Sequence, residues 1–194
     1  MSVKTIYNDL RKYGMTHEGA CAMLGNMKAE SSMTANIAQR GMTSLSDEAY
    51  TRKFDSDPDS CIKDACGYGL CQWTFWSRKS NLWQFAQNWG VSVGSEDMQT
   101  AFAVQELKDD FPDLWKYLCT TNALYTAVER ICKEFERPAV NNIATRYAFA
   151  ESFLEELSPH QATVTAPAQK SELKEIADRL EAVLKDLRKY IGGF

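Results

Sequence analysis

Apolar residues recur at intervals of three and four positions along most of the chain, and this spacing constrains the fold more than any other feature. It is the period of a helix that buries one face, and it differs from the strict alternation of a half-buried strand. Helices are predicted from Val3 to Tyr13, after Thr16, over 77–89, from Ser95 towards Pro112, after Pro112, over 123–136 and from Ile143 to Leu157. The sequence therefore predicts a mainly α-helical domain.

Residues 33–66 interrupt the helical pattern. They are rich in Ser, Thr, Asp and Asn and include Pro58, a composition that predicts a long loop, with or without a short β-hairpin. Loops of this length are usually functional or disordered. We expect the helical domain to carry a small lobe here, made of this loop or hairpin.

The C-terminal part differs in composition from the rest. Residues 158–168 contain two prolines and small side chains, which predict a linker between a domain over 1–157 and a separate helix over 169–194. That amphipathic, coiled-coil-like helix carries a heptad seam of Leu173, Ile176, Leu180, Val183, Leu187 and Tyr190. The seam predicts a homo-oligomer, and the alternative is a helix folded back on its own domain.

Charge and hydropathy exclude several classes of protein. A net charge of -4 argues against a nucleic-acid binder, which usually has a basic face. No apolar run approaches the roughly 18 residues of a membrane span, so no membrane insertion is expected. The N-terminal sequence lacks the basic start and apolar stretch of a signal peptide, which predicts a soluble product made in the cytoplasm.

The six cysteines form no CxxC pair, and the two histidines, His17 and His160, are far apart. No metal site and no cofactor are therefore expected. Free thiols fit a protein made in a reducing cytoplasm. A disulfide among Cys61, Cys66 and Cys71 is the alternative.

Glu30 is the first candidate for chemistry. On a helix it shares one face with Met23 and Met27, so its carboxyl lies at the end of an apolar stripe. Desolvation favours the protonated form of a carboxyl, which can then deliver a proton near neutral pH. The alternative is a solvated glutamate near a helix end.

The segment GYGLCQWT at 67–74 is the second candidate. Its glycines permit a close approach of the backbone to a ligand. Tyr68 and Trp73 could stack on pyranose rings, and Gln72 could bind an N-acetyl or hydroxyl group. The alternative is a turn whose aromatic residues pack in the core.

Three segments, LGNMKAES at 24–31, SDEAYT at 46–51 and GYGLCQWTFWSRK at 67–79, together resemble the phage tail lysozyme family. The resemblance covers about 5–157. It implies a lysozyme-like helical fold with a cleft between two lobes, with Glu30 as catalytic acid and the third segment lining the cleft. Two departures are Ser32, where many relatives have Gly, and the insertion-like stretch at 55–61.

Hydrolysis of a glycoside usually requires a second carboxylate. The segment after Glu30 offers Asp47, Glu48, Asp55, Asp57, Asp59 and Asp64. We favour Asp47 because SDEAYT belongs to the resemblance, and we assign Tyr50 and Thr51 of the same segment to the substrate site, where Thr51 could position a water. Asp64, just before the glycine turn, is the alternative.

Three further side chains are assigned by analogy or by position. Tyr147 resembles the late tyrosine that some transglycosylase-like enzymes place near the acid, although it also suits a helix core. Arg78 and Lys79 could meet a peptide or lactyl carboxylate, or be ordinary surface cations.

The predicted function is a phage endolysin that cleaves the β-1,4 bond between MurNAc and GlcNAc in peptidoglycan glycan strands. It would be made in the host cytoplasm and act on the cell wall after membrane permeabilisation. A lytic transglycosylase with the same fold is one alternative. A non-catalytic saccharide-binding or structural phage protein is the other.

Overall fold

The computed structural model describes residues 3–158, in which helices form a compact unit that reaches to Glu156. The elements are α1 (Val3–Tyr13), α2 (His17–Ser31), α3 (Asp47–Ser56), α4 (Pro58–Lys63), α5 (Trp76–Trp89), α6 (Glu96–Asp110), α7 (Pro112–Leu118), α8 (Leu124–Arg130), a π-helical segment (Ile131–Glu136) and α9 (Ile143–Glu156). The mainly helical fold class is confirmed, and 3–158 contain no strand longer than an isolated bridge.

Several helix ends lie where the sequence signals predict them. Thr16 caps α2, since its Oγ1 accepts a hydrogen bond from the Gly19 N–H at 3.0 Å. Gly90 ends α5 in the left-handed conformation, with φ 69°. Ser95 precedes α6 as predicted, but its side chain makes no capping bond.

The segment 33–66 is the main correction to the predicted fold. It contains α3 and α4 rather than one continuous loop. The Ser46 hydroxyl caps α3 by accepting from the Ala49 N–H at 3.2 Å, and Tyr50 and Phe54, one turn apart, are buried. Two buried residues in a short polar helix are too few to reveal its period. The expected hairpin is reduced to isolated antiparallel bridges, Ala38 to Tyr68 and Tyr68 to Trp73.

Helix α2 occupies the centre of the domain and packs against α1, α7, α8 and α9. A helix surrounded in this way is apolar on most faces, and α2 is buried almost continuously from Gly19 to Met27. Gly25 allows the contact with α9, because a Cβ there would lie 2.6 Å from the Arg146 carbonyl oxygen. The C-terminal turn of α2, which carries Glu30, is therefore held close to α9.

The predicted linker and the helix over 169–194 lie outside the described residues, apart from Ser158. The division into a domain, a linker and an assembly helix stays a prediction. Within 3–158, no helix has the length and apolar character needed to cross a membrane.

Candidate active site

A cleft of about 1120 Å³ brings together parts of the chain that are far apart in sequence. Its lining residues come from 37–42, 63–65, 71–78 and 135–139, together with Glu30 and Phe111. Apolar lining with a few polar groups is typical of a ligand site. We therefore take this cleft as the candidate active site.

Glu30 lies in the last turn of α2 and borders the cleft, with 16% of its side chain exposed. Its Oε1 accepts a hydrogen bond from Arg146 Nη2 at 2.6 Å, and the Arg146 side chain is only 5% exposed. A partly shielded carboxylate is thus paired with a buried guanidinium.

Asn26 fixes the orientation of Arg146. Its Oδ1 accepts from Arg146 Nη1 at 3.1 Å, while its amide nitrogen donates to the carbonyl oxygens of Ala22 and Val128. The Arg146 Nε donates to the Asn141 carbonyl oxygen at 3.1 Å. Helix packing, rather than any local motif, positions this arginine beside Glu30.

Tyr147, the residue after Arg146, lies outside the cleft lining. Its hydroxyl donates to Glu151 at 3.0 Å and its ring packs against Tyr125. The sequence analysis expected Tyr147 beside the acid, and in the structure Arg146 is the residue of α9 that contacts Glu30. No sequence signal marked Arg146, because it meets Glu30 only through the packing of α2 against α9.

Asp64 brings a second carboxylate to the cleft. Its Oδ1 accepts from Lys79 Nζ at 2.5 Å and from the Cys66 N–H at 3.0 Å, and the Tyr50 hydroxyl donates to its Oδ2 at 3.0 Å. Lys79 is fully buried and is therefore not a surface cation. Tyr50 is also buried, so it orients Asp64 and offers no face to a ligand.

Asp47 is not among the residues that line the cleft. Its Oδ1 accepts from the Ala38 N–H at 3.0 Å, and its Oδ2 pairs with Arg40 at 3.2 Å. The Thr51 hydroxyl donates to the Asp47 carbonyl oxygen and is hydrogen-bonded to Tyr68. Asp47 and Thr51 thus make bonds within the fold and do not line the cleft, whereas the sequence analysis expected both at the substrate site.

Tyr68 and Trp73 are both fully buried, so their faces cannot stack on a sugar. Trp73 Nε1 donates to Glu106 Oε2 at 2.9 Å, and Arg78 donates to both oxygens of Glu106 at 2.6 and 2.8 Å. This cluster fastens the 67–79 segment to α6. Arg78 thus pairs with Glu106 and also borders the cleft, and the core-packing alternative holds for the two aromatic residues.

Gln72 lies in the cleft lining, where the sequence places it. Its backbone has φ 46°, and its Nε2 donates to the Gly69 carbonyl oxygen at 3.0 Å. Gly69 itself has φ 79°, and a Cβ there would lie 2.5 Å from Gln99 Oε1. The glycine turn therefore sets the position of Gln72.

Phe75 and Trp76 provide the exposed aromatic surface that was expected of Tyr68 and Trp73. They are 62% and 61% exposed, border the cleft and have ring centroids 6.1 Å apart. Both follow the motif directly, at the start of α5. The available signal was an aromatic pair just before a helix, but residue type alone does not distinguish buried rings from exposed ones.

Replacing Trp76 with Ala is expected to lower kcat/KM on a glycan substrate about tenfold, because truncating an aromatic anchor commonly costs more than about 1 kcal/mol. Steady-state kinetics would measure the change. Trp89→Ala is the matched control, since Trp89 is also exposed but lies outside the cleft lining. Equal effects of the two substitutions would argue against sugar stacking on Trp76.

Glu136 is a third carboxyl at the cleft, and the sequence analysis did not select it. It is the last residue of the π-helical segment, and both of its carboxyl oxygens are shielded from solvent without a hydrogen-bond partner in 3–158. Burial raises the pKa of Glu136 well above its usual range, and the charge of Glu30 raises it further. The sequence predicted an ordinary helix up to Glu136. A π-helical turn leaves no mark in the spacing of apolar residues, so the sequence did not indicate where the Glu136 side chain lies.

The six cysteines all lie within the described residues and are free thiols there. Burial raises the pKa of Cys21 to about 12 and that of Cys71 well above the usual value, so neither favours the reactive thiolate. Within 3–158, no group of His, Cys, Asp and Glu is arranged to hold a metal ion.

A helical domain with carboxyls and exposed aromatic rings in one cleft defines a lysozyme-like protein. The chain belongs to the phage tail lysozyme family, whose model matches residues 2–157. Comparison with curated proteins found no match. Family membership makes the chain a lysozyme-like peptidoglycan hydrolase.

Proposed function

We propose that the chain is a muramidase that hydrolyses the β-1,4 bond between MurNAc and GlcNAc, with Glu30 as the catalytic acid. The observation that carries this proposal is that the Glu30 carboxyl and the Asp64 carboxylate border the same cleft. Most glycoside hydrolases use two carboxyl groups that flank the scissile bond. Phe75 and Trp76 add sugar-binding surface.

The residues divide the chemistry as follows. Glu30 protonates the glycosidic oxygen while the bond from that oxygen to C1 breaks. Asp64 stabilises the positive charge that develops on the sugar ring, and water completes hydrolysis. Lys79 and Tyr50 hold the Asp64 carboxylate in place, and Arg146 stabilises Glu30 after it has lost its proton.

A lytic transglycosylase is the second candidate. It needs one acid and yields an anhydro sugar through attack by the substrate's own hydroxyl. The ion-paired carboxylate of Asp64 in the cleft favours hydrolysis, because an enzyme with a single acid does not require it.

Mass spectrometry of peptidoglycan digested by the purified chain tests this proposal. We expect hydrated reducing ends on MurNAc, and Asp64→Asn should lower their yield by at least about tenfold. Asp47→Asn is the matched control because Asp47 lies outside the cleft lining. Anhydro ends would contradict the muramidase assignment and identify a transglycosylase. The absence of any cleavage would support a non-catalytic saccharide-binding protein.

The biological setting is also a proposal. A phage peptidoglycan hydrolase suits the role of an endolysin that reaches the wall after the membrane has been permeabilised. Self-association through the seam of Leu173 to Tyr190 would present several catalytic domains to one polymeric wall, where avidity increases binding.

A further inference from the structure

We propose that Glu136 stores the proton that Glu30 delivers, so that the two carboxyls share one proton. Glu136 then acts through Glu30 as a positioning residue and does not touch the substrate. This inference rests on the proposed glycosidase function and deepens it.

The geometry of Glu136 is the first support. Glu136 lines the cleft, yet its carboxyl oxygens are shielded from solvent and have no hydrogen-bond partner within 3–158. An unsatisfied buried polar group destabilises the folded state, so a structural role alone gives no reason to keep a carboxyl there. The residue ends a π-helical segment, and such segments are frequent at functional sites.

Charged side chains on four helices act on the Glu136 carboxyl. Glu30 on α2 and Glu106 on α6 raise the pKa of Glu136, whereas Arg78 on α5 and Arg146 on α9 lower it. The Cys71 thiol also lies in this group and is itself neutral, because burial raises its pKa. Desolvation is the largest influence on the pKa of Glu136 and favours its protonated form.

Glu30 differs from Glu136 because it already has a cationic partner, Arg146, at 2.6 Å. Glu136 has no hydrogen-bond partner of that kind within 3–158, and an apolar enclosure favours the neutral form of its carboxyl. Two carboxyls in environments this different are suited to hold a proton at one site and use it at the other. In the resting protein the proton is on Glu136.

The proton balance of one turnover is as follows. Glu136 transfers its proton to a Glu30 oxygen, through one water or after a small side-chain movement, and Arg78 and Arg146 compensate the new charge. Glu30 gives this proton to the glycosidic oxygen, which leaves C1 with the bonding electron pair. The attacking water adds its oxygen to C1 and returns one proton to the carboxyl pair. One water is consumed, and Glu30 and Glu136 again share one proton at the end of the turnover.

The pH dependence of kcat/KM tests this inference with Glu136→Gln, which keeps the shape but cannot hold a transferable proton. We expect the basic limb of the profile to move to lower pH, with activity at least about tenfold below the native protein at pH 7 and recovering as the solution becomes acidic. Glu134→Gln is the matched control, because Glu134 lies on the same π-turn, pairs with Arg130 and does not line the cleft. An unmoved basic limb, or a loss that is equal at every pH, overturns the inference.

Thermal melting provides a readout that does not depend on activity. Since the pKa of Glu136 is higher in the folded state, native stability should fall as pH rises above the unfolded value of about 4.3. Glu136→Gln should therefore gain stability relative to the native protein across that range. A stability difference between Glu136→Gln and the native protein that does not change with pH would contradict a stored proton. If the native protein does not cleave peptidoglycan at all, the proposed function is contradicted instead.

Discussion

Glu30→Gln is expected to lower kcat/KM on peptidoglycan by about 10²–10⁴-fold, the range that general acid catalysis usually supplies. Gln has the size of Glu but no proton to give to a glycosidic oxygen. Its amide oxygen can still accept the hydrogen bond from Arg146, so the contact between α2 and α9 should persist. Kinetics on purified cell wall, with a thermal melt of the same sample, separate lost chemistry from lost folding.

Glu151→Gln is the control for that experiment. Glu151 is exposed on α9 and accepts a hydrogen bond from Tyr147, away from the cleft. It should cleave cell wall at the native rate. A Glu30→Gln protein that also cleaves at the native rate would remove Glu30 from the catalytic role.

Local signals in the sequence predicted the helices well, because periodicity and capping depend on neighbouring residues. Thr16, Gly90 and Pro112 mark real helix ends. The same signals failed over 33–66, where α3 and α4 are short and largely polar and therefore have no clear apolar period. The prediction of the fold class did not depend on that segment.

The composition of the cleft was harder to predict, since it depends on contacts between distant residues. Asp47 and Asp64 are chemically equivalent in a sequence, and only the folded structure shows that Asp64 lines the cleft whereas Asp47 does not. Arg146 reaches Glu30 across 116 positions of the chain. No pattern of local spacing contains that information.

The exposure of the aromatic residues also depends on contacts between distant parts of the chain. The GYGLCQWTFW sequence offers four rings of similar chemistry, two of which are buried and two exposed. Trp73 is buried because Glu106 accepts its indole N–H and α6 covers its ring with Phe102. Tyr68 packs instead against Tyr50 and Phe54 of α3, so contacts with distant helices determine which rings are buried and which border the cleft.

Glu106 on α6 is the residue whose substitution has the second large expected effect. Glu106→Gln is expected to destabilise the domain by about 3 kcal/mol, because removing one member of a buried ion pair leaves the other charge uncompensated. Glu106 is 4% exposed, and its partner Arg78 has only 21% of its side chain exposed. For a domain of this size the loss corresponds to a fall in Tm of roughly 6–12 °C.

Thermal melting or denaturant unfolding would measure this loss. Asp109→Asn is the matched control on the same helix, since Asp109 is exposed and accepts a hydrogen bond from Gln105, and we expect a change within about 0.5 kcal/mol. Combining Glu106→Gln with Arg78→Met should cost less than the two single losses added together, because the double variant leaves no unpaired charge. Additive losses would mean that the pair does not couple the glycine-turn segment to α6, and the cleft wall would then depend on the burial of Trp73 alone.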